Sequence, residues 1–100
     1  MNFNIKHDGK YNKFFTEVSG KESNLTYEKI TDSIWDYKVM FVPRNLRGQG
    51  IAGKVVEYAL NFARKNKIRI KATCSYVSGY IETHPEFKDL VMDKLHSIQA

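Results

Sequence analysis

The stretch from Val39 to Val56 constrains this chain more than any other part of it. Val39-Met40-Phe41-Val42 is an apolar run that reads as a buried strand. Pro43 ends that strand, because proline has no N–H to give to a ladder. The residues that follow are polar, basic and glycine-rich. A helical pattern then begins, with Ile51, Val55, Val56, Ala59, Leu60 and Phe62-Ala63 at spacings of three and four. The order is therefore strand, basic glycine-rich turn, helix. The first amides of a helix have no intrahelical acceptor and point out of its end. Gly48, Gly50, Ala52 and Gly53 leave room for a ligand to approach that backbone. Arg44, Arg47 and Lys54 surround it with positive charge. Together these features make an anion site suited to phosphate. A solvated basic cap on a helix is the plainer alternative.

Two familiar phosphate motifs are excluded. No Gly-Lys-Ser/Thr follows the first glycine at Walker spacing, and the Gly-x-Gly-x-x-Gly order is absent. The segment instead resembles the pyrophosphate-binding motif of the GNAT superfamily of N-acetyltransferases, Gln/Arg-x-x-Gly-x-Gly/Ala. Arg47-Gly48-Gln49-Gly50-Ile51-Ala52 carries the likeness, with Arg47, Gly50 and Ala52 at the defining positions. Leu46 to Ala63 is similar to that superfamily's acetyl-CoA-binding helix, and Val39 to Val42 to the strand before it. Thr73-Cys74-Ser75-Tyr76-Val77, Tyr80-Ile81 and His84-Pro85-Glu86-Phe87 resemble a minimal GNAT-like subfamily of about a hundred residues. The likeness runs over roughly residues 10–91 and is strongest over 39–87.

With 100 residues the chain has room for one domain with one modest core. Hydrophobic content of 42% and aromatic content of 13% are those of a globular protein. No apolar run approaches the ~20 residues that span a bilayer, so no membrane partner is expected. The first residues, Met1 to Lys6, show no signal-peptide core. One cysteine makes no internal disulfide, and both points are read as a reducing cytoplasm. The formal charge of +5 favours an anionic partner without choosing which.

Along the chain, residues 3–8 form a weakly alternating first strand and Asp8-Gly9 is a hairpin signal. Residues 10–18 alternate as a second strand, and 19–23 read as a loop. Residues 24–30 form a third strand, 31–33 turn the chain, and 34–42 form the fourth and most apolar strand. These four predict an antiparallel meander. A helix over 49–65 follows, closed by Asn66-Lys67. Residues 68–73 return as a fifth strand, parallel to the fourth because a helix separates them. Ser75 reads as the cap of a short helix over 76–83, interrupted at His84-Pro85. Residues 86–92 read as a last helical turn or two, and 95–100 as a frayed end. The fold class is α+β with a GNAT-like mixed sheet. Parallel strands four and five can splay at their carboxyl ends, where ligands of open sheets bind.

The resemblance implies that acetyl-CoA lies in this opening. Its pantetheine arm would pair with backbone groups near Met40, Phe41 and Val42. Its diphosphate would sit on amides from Arg47 through Gly48, Gln49, Gly50, Ile51, Ala52 and Gly53 to Lys54. Two residues are candidates for chemistry. Cys74 ends the fifth strand at the same sheet edge, where a thiolate could take the acetyl group and hold it as an acyl-cysteine. The helix beginning at Ser75 supplies a field that favours a thiolate. The alternative is a buried structural cysteine. Tyr80 stands where the GNAT pattern has a tyrosine that protonates the coenzyme sulfur, and it equally fits packing of the short helix. Tyr76 and Trp35 read as core, and His84 as a loop histidine bonded within its own turn. His7 and His96 carry no functional weight. No His/Cys/Asp/Glu set has metal-ligand spacing, so no metal is expected.

Two features depart from the family. Only Asp8-Gly9 separates the first two strands, where GNAT enzymes place helices that build the acceptor pocket. No further strand follows residue 74. Glu17 and Glu28 read as solvated, and no glutamate base is identifiable. The reading is therefore an acetyl-CoA-binding protein, a candidate acetyltransferase with an unknown amine or protein acceptor. The alternative is a non-catalytic coenzyme-binding or adaptor module. Nucleic-acid binding ranks last, because the basic residues are dispersed among acids. Nothing in the sequence gives the oligomeric state.

Overall fold

A computed structural model describes residues 3–92. Five strands form one sheet in the order β1 (Lys6–Asp8), β2 (Lys13–Val18), β3 (Lys21–Thr31), β4 (Ile34–Phe41) and β5 (Arg69–Ala72). The first four pair antiparallel, and β5 pairs parallel to β4. Helix α1 (Ile51–Lys65) makes the crossover, and α2 (Ser75–Thr83) follows β5. A 3₁₀ turn over Arg44–Leu46 precedes α1, and a longer one over Pro85–Leu90 follows α2. No helix among the described residues is long and apolar enough to cross a membrane.

Two of the three hairpins differ from the sequence expectation for local reasons. The side-chain Oδ1 of Asp8 accepts from the N–H groups of Lys10 (3.0 Å) and Tyr11 (3.1 Å). Asn12 then takes a left-handed φ of 54°. This locally bonded turn delays β2 to Lys13, and β1 itself begins only at Lys6. The expected loop at 19–23 is instead a two-residue turn. Ser19 and Gly20 both take positive φ, 52° and 75°, the hairpin geometry that matches strand twist. Lys21 can then pair with Val18, and β3 extends to eleven residues.

Every helical element packs on one face of the sheet. The apolar stripe of α1, Ile51, Val55, Val56, Ala59, Leu60 and Ala63, is buried against Phe14, Leu25, Tyr27, Trp35 and Tyr37. Each fully buried branched side chain contributes about 1.5–3 kcal/mol by removal from water. Lys67 turns left-handed after α1, and Ile68 N–H donates to Ala63 O at 2.8 Å, which aims the chain into β5. Arg64 ties the C-terminal 3₁₀ turn to α1 through Asp89 (3.0 Å) and the Glu86 carbonyl (2.6 Å).

The other face carries no helix among the described residues, and this corrects one expectation. The run Val39 to Val42 is not buried: Val39 is 57% exposed and Phe41 49%. The pairing of β3 with β4 shifts register between Thr26 and Tyr27, with Tyr27 opposite Tyr37 and Thr26 opposite Val39. That irregularity makes Lys38 an extra residue and turns Val39 and Phe41 to the bare face. The end of the chain differs too. Only Pro85–Leu90 is helical, and Val91 bridges Ile70 as an isolated parallel partner. The expectation of fraying over 95–100 lies outside the described residues.

At the opposite edge of the core, the His7 ring lies 4.8 Å from that of Phe14 and 4.4 Å from that of Phe62, by centroids. Its Nε2 is 2.6 Å from the Tyr27 hydroxyl. Burial lowers the His7 pKa below its ordinary 6.5, with Lys29 adding to that and Asp8 opposing it. Burial also pushes the Tyr27 phenol up to about 12. The folded state therefore prefers neutral His7. The resulting stability is present above the ordinary histidine value and is lost as pH falls through the lowered one. The urea midpoint should fall on acidification below about pH 6.5, and His7→Phe should flatten that part of the profile. An unchanged slope in the variant would assign the acid sensitivity to other groups.

Candidate functional site

Strands β4 and β5 separate after four parallel pairs, from Ile34 with Arg69 to Tyr37 with Ala72. Tyr37 stands opposite Ala72, the last residue of β5, and the Cys74 N–H closes the ladder on the Tyr37 carbonyl at 2.9 Å. Beyond that point β4 continues to Phe41 with no strand beside it on that edge among the described residues. Tyr27 N–H donates to Asn12 O, so Tyr27 spends its ladder groups on the β2 side. Antiparallel alternation then sends those of Leu25 the same way. Its partner Met40 turns its N–H and C=O away from β3, into the opening.

Pro43 turns the chain out of β4, and Leu46, 4% exposed, anchors the 3₁₀ turn in the core. Leu46 N–H donates to Pro43 O (2.9 Å), and Arg47 Nε donates to Val42 O (3.0 Å). Gly48 and Gly50 take φ of 85° and 83°, which side chains rarely adopt. A Cβ at either would meet nothing within 4 Å, so open space lies above both. Gly50 stands at the N-cap of α1 with no side-chain cap, which leaves the amides of the first turn without an intrahelical acceptor.

Between these parts lies an open cleft of about 470 Å³. Of the sequence-predicted cofactor residues, Met40, Phe41, Val42, Arg47, Gly48, Gly50, Ile51 and Ala52 border it. Gln49, Gly53 and Lys54 do not. Gln49 is exposed, and Lys54 pairs with Glu57 at 3.6 Å. Gly53 faces α2, where its Cβ would lie 3.5 Å from the Tyr76 hydroxyl and 4.0 Å from the Tyr80 ring.

The two candidates for chemistry stand behind the cleft. Cys74 is 6% exposed and occupies the N-cap of α2, at the fork where β4 and β5 separate. Ser75 is the first helical residue and makes no capping bond, contrary to its expected role. Tyr80 is half-buried and stacks on His84 with centroids 3.8 Å apart and planes 4° apart. His84 Nδ1 lies 2.8 Å from the Tyr80 carbonyl and 3.0 Å from Thr83 Oγ1, so it is bonded within its own turn. Burial pushes the Tyr80 phenol up, with Glu57 and Glu86 adding, so it holds its proton at neutral pH.

Sequence reasoning missed Tyr76 and Leu46. Tyr76 is 45% exposed and borders the cleft, where a core position was expected. The signal was available: Tyr76 and Tyr80 are four apart on one helix, so both face the first turn of α1. No group of metal-ligating side chains occurs among the described residues.

A sequence profile described as GCN5-related N-acetyl-transferase matches residues 13–90. The chain belongs to that family. The protein NATD1 of Gallus gallus is 30% identical over 83 residues, 81% of this chain and 76% of that protein. NATD1 of Homo sapiens is 29% identical over the same length. The solution structure of a GCN5-like protein from Staphylococcus aureus superposes with a TM-score of 0.70 at 25% identity. It covers 91% of this chain and 89% of that one. The GCN5-related fold thus accounts for the mixed sheet and its fork.

The two kinds of glycine in this turn should respond differently to substitution. Gly50→Ala should cost about 1 kcal/mol through its left-handed backbone. Gly53→Ala, in an ordinary helical conformation with only van der Waals contact ahead, should be neutral or slightly stabilising. Urea denaturation of both variants checks this, and equal costs would contradict the assigned backbone roles.

Proposed function

We propose that this protein binds acetyl-CoA in the cleft between the end of β4 and the start of α1, and presents the acetyl group to an amine or protein acceptor. One observation carries the reading: an unpaired strand edge and an uncapped helix start face the same open cleft. The strand edge offers Met40 groups to an amide-bearing arm. The helix start offers amides and a positive field to a diphosphate. Arg47 and Gly48 stand beside that helix start, and Arg44 and Lys54 supply positive field nearby. Family membership supports the same assignment. Bound acetyl-CoA supplies an activated thioester, and the chain's own residues hold and orient it.

Direct transfer fits the burial of the sulfur better than an acyl-cysteine does. Cys74 nevertheless stands at the fork, where the acyl end of an arm laid along β4 would arrive. Tyr80, protonated and packed against α1, is our candidate proton donor to the leaving sulfur. Cys74→Ala should keep acetyl-CoA affinity, and wild-type protein incubated with acetyl-CoA should gain no acetyl mass. If wild-type protein gains an acetyl mass increment that Cys74→Ala lacks, the acyl-cysteine route holds instead.

A non-catalytic coenzyme-binding role is the second reading. It is favoured by the short turn at Gly9–Asn12, which occupies the place of the helices that build an acceptor pocket. Acetyl loss from coenzyme in a mixture of amines and peptides separates the two readings.

Gly50→Glu tests the site. The open space above Gly50 would receive a carboxylate, opposing a diphosphate by bulk and charge. Calorimetric titration should show acetyl-CoA affinity lowered at least about 100-fold, roughly 2.7 kcal/mol, in a protein that remains folded. Undiminished affinity in folded Gly50→Glu protein would remove the assignment.

A further inference from the structure

We propose that Lys21 and Arg44 bind the ribose 3′-phosphate of coenzyme A and so select the 3′-phosphorylated coenzyme over its dephospho form, a reading that rests on the coenzyme site proposed above. Lys21 is the first residue of β3, delivered by the two-residue turn at Ser19-Gly20. Its partner across that hairpin is Val18, whereas β3 meets β4 only from Asn24, opposite Phe41. The hairpin tip therefore runs past the end of β4 and stands beside the 3₁₀ turn over Arg44–Leu46. The contact is direct: Lys21 Nζ donates to Asn45 Oδ1 at 3.3 Å. A residue 24 positions earlier in the chain is thus tied to the turn that leads into α1.

What holds each cation differs across the molecule. Lys13, Lys38, Lys54 and Arg64 are held by carboxylates, which neutralise them. Lys21 is held by a neutral amide oxygen, and Arg47 by the neutral Val42 carbonyl through Nε at 3.0 Å. A neutral acceptor orients a cation without cancelling its charge. Lys21 keeps two further N–H donors, and Arg47 keeps its terminal fork. No carboxylate of the described residues lies within 4 Å of Lys21, Arg44 or Arg47. Residues 39–56 contain no acid. On the adjoining hairpin, Glu17 and Glu22 stand opposite each other, and Glu22 pairs with Lys13 on the helix-free face. Lys21 alternates onto the other face, the one on which Ser23 and Leu25 are buried.

The coenzyme has a group that matches these charges. Its diphosphate is met by the first-turn amides of α1 and by Arg47, which leaves Lys21 and Arg44. Arg47 N–H donates to Arg44 O at 3.3 Å, so the two arginines stand one 3₁₀ turn apart, roughly 6 Å along its axis. Coenzyme A carries a further phosphate one ribose away from its diphosphate. As a phosphomonoester it bears a charge of about −1.5 to −2 at pH 7 and presents three acceptor oxygens. Two oriented cations without carboxylate partners, one turn from the diphosphate position, are its counterpart. Lys21 is a point charge with rotatable donors, which suits an exposed phosphate.

Calorimetric titration with coenzyme A and with 3′-dephospho-coenzyme A tests the assignment. Wild-type protein should bind coenzyme A about tenfold tighter or more. Lys21→Ala should bring that ratio below about threefold and leave affinity for the dephospho form unchanged. Lys21→Arg, which keeps the charge, should keep most of the preference. Asn45→Asp separates charge from tethering: it holds Lys21 in place and neutralises it, so the preference should be lost there too. Lys21 and Asn45 are both exposed, and these variants keep the fold. Higher ionic strength should shrink the wild-type ratio. Equal wild-type affinity for the two coenzymes overturns the assignment while leaving the cleft as the coenzyme site. An undiminished ratio in Lys21→Ala or in Asn45→Asp does the same. Binding of neither form would remove the coenzyme site itself, and this assignment with it.

Discussion

Tyr37 is the residue through which the rest of the structure is coupled. Its main chain pairs with Tyr27 on one side and Ala72 on the other, and its carbonyl takes the Cys74 amide. Its side chain is fully buried and donates to the Ala59 carbonyl at 2.7 Å, joining the sheet to the middle of α1. Burial pushes that phenol far up, so it stays protonated and donates at neutral pH. Immediately beyond Tyr37, an irregularity redirects β4 and β5 ends. The fork between the strands, the exposure of Val39 and Phe41, and the position of the cleft all follow from that point.

The same division organises the surface. One face of the sheet is committed to a core with α1 and α2, and the other is left bare. The opening between β4 and β5 is lined by backbone and small residues as well as by apolar side chains. Its cations are Arg47 at the wall and Arg44 and Lys54 close by, with no buried carboxylate among the cleft-lining residues. Such a site suits the proposed coenzyme, a long ligand with an amide arm and an anionic end. The family relation and the geometry of the fork thus point to one coenzyme class by separate routes.

Much of this was legible in the sequence, and the failures have specific causes. The strand–turn–helix at 39–56 gave the helix stripe, the glycine-rich turn ahead of it and the parallel return of β5, because each rests on local chemistry: Pro43, the small residues of the turn and a 3.6-residue period. The antiparallel meander followed from alternation. Burial of Val39 to Val42 was misjudged because an apolar run does not report how many neighbours its sheet provides. β5 ends at Ala72, opposite Tyr37, and the helices all lie on one side. Tyr76 was misplaced because aromatic character suggested core, whereas its register against α1 places it at the cleft mouth. The turn at Ser19-Gly20 was missed because Ser19 carries its positive φ without the Asn or Asp that usually marks such a position.

The central claim is that the opening past Tyr37, with the turn beneath it, receives acetyl-CoA. Backbone amide shifts of isotope-labelled protein, followed during titration with acetyl-CoA, test it most directly. The account predicts saturable shifts concentrated over residues 40–54 and near Cys74, with β1 and the β1–β2 turn unchanged. An absence of shifts at millimolar ligand, or shifts confined to other parts of the surface, would contradict it.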